Sequence, residues 1–141
     1  MDIKELFDAL SACKHPDEMR GIMRGEGYDR FAYGGTSVAF KIGDYVIKHS
    51  IRGEECHIPT AETLNNELLA RLWLAPIYQS KYVIVQPFCQ PIRNKARERR
   101  IVTIIDRELK NMGIDSGAKY HRLHVGNFGL YKGRIKVFDM V

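Results

Sequence analysis

Gly34-Gly35-Thr36-Ser37-Val38 is the stretch best suited to holding an anion. Glycine lets a backbone approach a phosphate closely, and free N–H groups in such a loop can cradle it. A plain hairpin turn uses the same residues. Further on, Tyr45-Val46-Ile47-Lys48 has strand character, and alternation puts Val46 and Lys48 on one face. A lysine projecting from a buried strand can meet phosphate oxygens, whereas one on a solvated strand only carries charge. Arg93, Lys95, Arg97, Arg99 and Arg100 run together with only Glu98 against them. That pattern suits a solvated helix start, or a patch for an acidic partner or nucleic acid. No aromatic residue interleaves with it, which removes the usual means of stacking on a single strand. Cys13, Cys56 and Cys89 are odd in number and widely spaced, and the adjacent Cys56-His57 is a poor ligand pair. Neither a disulfide framework nor a cysteine metal site is expected.

The elements that position these residues must come from a short chain. Its 141 residues fit one domain, and a hydrophobic content of 45% is enough for a packed core. No apolar run approaches the roughly 20 residues needed to span a bilayer. The charged start Met1-Asp2-Ile3-Lys4-Glu5 lacks a signal-peptide core, so a cytoplasmic protein is expected, with no membrane partner. The net charge of +5 suits phosphates, nucleic acid or an acidic protein without choosing among them.

Ile3, Leu6, Phe7 and Leu10 recur at helical spacing, which predicts a first helix over about residues 3–13. Pro16, Asp17 and Glu18 open a second that runs to about Gly25. Phe31–Tyr33, Ser37–Ile42 and Tyr45–His49 are predicted strands of an antiparallel meander, broken at Gly34-Gly35 and Gly43-Asp44. A helix follows over about 60–73, with Leu64, Leu68 and Leu72 on one face. Ala75–Tyr78 and Lys81–Val85 are two more strands, and Pro87 and Pro91 mark a linker. A helix over about 96–112 carries Ile101, Ile104, Ile105 and Met112 as its apolar stripe. Val125–Tyr131 and Arg134–Phe138 form a last hairpin around Lys132-Gly133, and Trp73 is expected in the core. The fold class is α+β.

From about residue 28 to residue 141 this order resembles a protein kinase read from its first strand to its metal-binding aspartate. It is similar to compact phage-encoded kinases and to aminoglycoside-phosphotransferase-like enzymes. The resemblance implies a minimal protein-kinase-like fold with a helical extension at 1–27. A five-stranded antiparallel N-lobe with one helix would fill 28–90. A reduced helical lobe, a catalytic-loop-like segment and the hairpin would fill 91–141. It also implies a nucleotide-binding set of Gly34, Gly35, Thr36, Ser37, Lys48, Glu67, Gln86 and Phe88. The loop keeps only two glycines of the family's GxGxxGxV, like the shorter phosphate loops of small-molecule kinases. Lys48 stands where the family's VAIK lysine meets the α- and β-phosphates, and Glu67 where a glutamate holds that lysine by an ion pair. Leu68 beside Glu67 suggests an inward carboxylate, Glu62 is a weaker candidate, and a solvated helix glutamate is the plain alternative. Leu123-His124-Val125-Gly126-Asn127-Phe128-Gly129, then Gly133-Arg134-Ile135-Lys136-Val137-Phe138-Asp139, look like the catalytic loop and metal strand. By resemblance Asn127 and Asp139 would hold Mg²⁺ with ATP, in keeping with the oxygen ligands that hard cations prefer. An asparagine turn followed by an aspartate is the plain alternative.

Two departures bear on activity. The family's catalytic base sits five residues before the asparagine, and Arg122 occupies that position here. A guanidinium cannot accept a proton, although it can stabilise phosphate charge. His124, His121 and Asp115 could supply a base, but none is in the usual register. The sequence also reads Asp139-Met140-Val141 where a kinase would continue into its activation segment. The expectation is therefore a pseudokinase that binds ATP and Mg²⁺ and acts by binding a host or partner protein. An acidic partner suits its charge, a homodimer stays open, and nucleic acid is the less favoured partner. One alternative is an active minimal kinase that transfers the γ-phosphate to Ser/Thr with a non-standard base. Another is a basic protein-binding or nucleic-acid-binding module that uses the fold as scaffold. If the chain is phage-encoded, its compartment is the host cytoplasm.

Overall fold

The computed structural model describes residues 1–28, 32–33, 37–56, 58–114 and 127–139. The class is α+β with antiparallel sheets. The chain divides into two units, Met1–Cys56 with Ala75–Phe88, and His57–Leu74 with Cys89–Val141.

The first unit opens with α1 (Ile3–Ser11), which starts where the Asp2 carboxylate accepts the Glu5 N–H at 2.8 Å. Helix α2 (Pro16–Gly25) has proline at its first position, where no N–H is needed, and Asp17 and Glu18 at the positive end of its dipole. The strands are β1 (Ala32–Tyr33), β2 (Ser37–Ile42), β3 (Tyr45–Ser50), β4 (Tyr78–Gln79) and β5 (Val83–Pro87). They form one sheet in the order β1-β2-β3-β5-β4, every neighbour antiparallel. The β2–β3 turn has Gly43 at φ 59° and no positive φ at Asp44, the pattern of a type II′ turn. Leu6, Phe7, Leu10, Met19 and Met23 bury against Val38, Phe40, Ile47, Val83 and Val85 on one sheet face. Leu10→Ala there would cost about 2–5 kcal/mol, since the site cannot fully collapse.

The second unit corrects three expectations. The single helix over 60–73 is two, α3 (Ala61–Leu64) and α4 (Glu67–Leu72). Asn66 breaks it by turning out of helical geometry and accepting the Leu69 N–H at 3.0 Å, which starts a new helix. Pro91 does not lie in a bare linker. Gln90–Pro91 forms β6, which joins β7 (Phe128–Tyr131) and β8 (Arg134–Val137) in a second, three-stranded sheet. Proline is tolerated there because β6 is an edge strand. The stripe on α5 (Lys95–Asn111) is also shifted. Glu98, Ile105 and Leu109 are its buried residues, whereas Ile104 and Met112 are 52% and 53% exposed. Ile105 and Leu109 pack with Leu68, Leu69, Leu72, Trp73, Phe128 and Val137. Among the described residues no helix is long and apolar enough to cross a membrane.

Candidate nucleotide and metal site

In the first unit the sheet register gathers part of the expected nucleotide set. Lys48 lies between Ala39 on β2 and Ile84 on β5, and Val46 lies opposite Gln86. Ser37 pairs with Ser50 at the same parity. By alternation Ser37, Lys48 and Gln86 share one face, opposite the face that α1 and α2 cover. Lys48 is half-buried among buried Val46, Ile84 and Gln86, so it does not stand on a solvated face. Phe88 follows β5. Its N–H donates to the Asp44 carbonyl at 2.7 Å, and Lys41 Nζ lies 4.7 Å from its ring centroid. A ligand reaching Phe88 would therefore meet its ring or carbonyl rather than its N–H.

In the second unit the hairpin brings the two expected metal residues to one end. β7 and β8 pair from Tyr131 opposite Arg134 to Phe128 opposite Val137. Lys132 and Gly133, at φ 51° and 75°, make the tight turn, and both left-handed residues match a type I′ geometry. Phe128 and Val137 are fully buried and anchor the strands. One more hydrogen bond, from the Phe138 N–H to the Asn127 carbonyl at 3.0 Å, closes the open end. Asn127 and Asp139 flank this bond and both are half-buried. No hydrogen bond or ion pair to the Asp139 carboxylate occurs among the described residues. A carboxamide and a carboxylate are hard oxygen donors, and Mg²⁺ needs only one or two such ligands beside water and phosphate. The donor set therefore fits Mg²⁺. Among the described residues no group of three or more His, Cys, Asp or Glu could hold a metal, and a phosphate-bridged Mg²⁺ does not require one.

Glu67 differs from expectation. It is exposed on the first turn of α4, where its charge complements the helix dipole. The helix break at Asn66 rotates Leu68, Leu69 and Leu72 into the core and leaves Glu67 outside. Glu62 on α3 is exposed as well. Lys48 belongs to the first unit and Glu67 to the second. Gly34, Gly35 and Thr36 lie outside the described residues, as do Asp115, His121, Arg122 and His124.

Among the described residues two buried ionisable side chains were not expected. Glu98 is fully buried on α5, with Lys95 Nζ 3.6 Å from its carboxylate. Its position three, seven and eleven residues before Ile101, Ile105 and Leu109 puts it on their stripe, a signal that was legible in the sequence. His49 on β3 is also fully buried, and burial pushes its pKa below 6.5. The chain matches no family model, no curated protein and no solved structure.

Proposed function

We propose that this chain is a minimal kinase-like protein that binds a nucleoside triphosphate with Mg²⁺ and acts by binding a partner protein rather than by turnover. The observation that carries the reading is the pair Asn127 and Asp139 at the open end of a hairpin closed by the Phe138–Asn127 bond. Ser37, Lys48 and Gln86 on one sheet face support it, since a lysine there is placed to meet phosphate oxygens. Arg122 at the position of the usual base argues against turnover. Losing a general base typically costs about 10²–10⁴-fold in rate, and a guanidinium can only grip the γ-phosphate.

Calorimetry with ATP, with and without Mg²⁺, tests the binding half. ATP should bind more tightly with Mg²⁺, and Asp139→Asn should remove most of that difference by deleting the anionic ligand. Absence of ATP binding at high micromolar protein would sink the proposal. Labelled γ-phosphate tests the other half, with little or no transfer expected to the protein itself or to generic substrates. Metal-dependent transfer that Asp139→Asn abolishes would promote the active-kinase reading instead.

A further inference from the structure

α5 turns a cationic face to solvent. Arg97, Arg99, Arg100, Arg107 and Lys110 are exposed on it, and Arg93 and Lys95 are exposed at its start. Lys95 is paired with buried Glu98, but the other six make no ion pair among the described residues. The acids left on the helix are half-buried Asp106 and exposed Glu108. A solvated helix usually sets acids three or four residues from its bases, as Lys4–Asp8 does on α1 and Asp17–Arg20 on α2. α5 leaves its guanidiniums unanswered along 17 residues, or about 25 Å of helix.

Ile104 decides what answers them. It is 52% exposed, with Arg100 one turn before it and Arg107 one turn after it. A duplex backbone offers no apolar surface to cover an isoleucine, and α5 has no aromatic residue on which single-stranded bases could stack. An apolar centre ringed by arginines is instead the anatomy of a protein interface. Guanidinium forks match carboxylates bidentately. We propose that this face of α5 docks an acidic amphipathic helix of a partner protein, with apolar residues over Ile104 and carboxylates on Arg97, Arg100 and Arg107. The inference rests on the partner-binding half of the proposed function but needs no nucleotide, so each can fail without the other.

Fluorescence anisotropy tests it with three labelled probes. They are a helical peptide of about 18 residues, matched to α5, with leucine on one face and glutamate elsewhere; polyglutamate of equal length; and a short RNA duplex. The leucine–glutamate peptide should bind tightest, and its affinity should fall as salt rises from about 0.05 to 0.3 M. Arg97→Glu with Arg100→Glu and Arg107→Glu should weaken it at least about tenfold while the melting curve stays cooperative. Ile104→Ser should weaken the leucine peptide about fivefold and leave polyglutamate unchanged. Three results would overturn the proposal. The peptide could fail to bind saturably, polyglutamate could bind as well as the leucine peptide, or the duplex could bind tighter than the peptide and ignore Ile104.

Discussion

His49 is a fully buried histidine stacked on Phe40, with ring centroids 5.7 Å apart. Its Nδ1 lies 2.8 Å from the Ser50 carbonyl, so that nitrogen carries the proton and donates it. Nε2 has no hydrogen-bond partner among the described residues, and a second proton there would be a charge without solvation. Desolvation is the main cause of the lowered pKa, the Arg20 cation adds to it, and the Ser50 carbonyl opposes it. The unfolded chain takes up a proton near pH 6.5, where the folded chain still refuses it. Stability is therefore full above about pH 6.5 and falls as pH drops below it, by up to about 1.4 kcal/mol per pH unit. Urea unfolding between about pH 8 and pH 5 should show this slope. His49→Gln keeps a donor for the Ser50 carbonyl but does not titrate, and should flatten it. An unchanged slope in that variant would assign the acid sensitivity to other groups.

Among the elements, the second sheet depends on one close approach. A Cβ on Gly129 would lie 2.7 Å from Cys89 Sγ and 2.9 Å from the Gln90 carbonyl oxygen. The sulfur can move, but the carbonyl belongs to β6, paired to β7 through Pro91 opposite Gly129. Gly129→Ala must therefore push the two strands apart, at a cost of about 1–3 kcal/mol in thermal or chemical unfolding. Because Asn127 lies two residues earlier, just before the same strand, the variant should also blunt the Mg²⁺ dependence of the proposed nucleotide binding. A fully stable Gly129→Ala would show that β6 pairs more loosely than this geometry. The end of α4 is tied to the same hairpin, since the Leu74 N–H donates to the Val137 carbonyl at 2.9 Å and Lys136 Nζ to the Arg71 carbonyl at 2.7 Å.

For the whole molecule, each unit has its own core, one of α1, α2 and the five-stranded sheet, the other of α4, α5 and the hairpin. If nucleotide binds the folded chain alone, mass action raises its stability. At a hundredfold excess over Kd the gain is about 2.7 kcal/mol. For a chain of this size that should raise the melting temperature by roughly 9 °C. The shift should require Mg²⁺ and should largely vanish in Asp139→Asn. An equal shift without Mg²⁺ would detach nucleotide binding from the hairpin.

Sequence alone determined what depends on neighbours in the chain. Asp2 and Pro16 start their helices, Gly43 and Gly133 make their turns, and alternation puts Val46 and Lys48 on one face, because these rules act within a few residues. That one hairpin would carry Asn127 and Asp139 at its open end was legible for the same reason. Tertiary structure decided the rest. Asn66 could continue a helix or cap one, and the burial of Leu68, Leu69 and Leu72 against Ile105 and Leu109 selects the cap and leaves Glu67 outside. Isoleucines at 101, 104 and 105 fit one helix face at 3.6 residues per turn, but where the core ends across that face is encoded by no local spacing, and the packing buries Ile105 and leaves Ile104 exposed. Gln90–Pro91 has too little strand character to be noticed, and becomes a strand only because Gly129 lets another backbone lie against it.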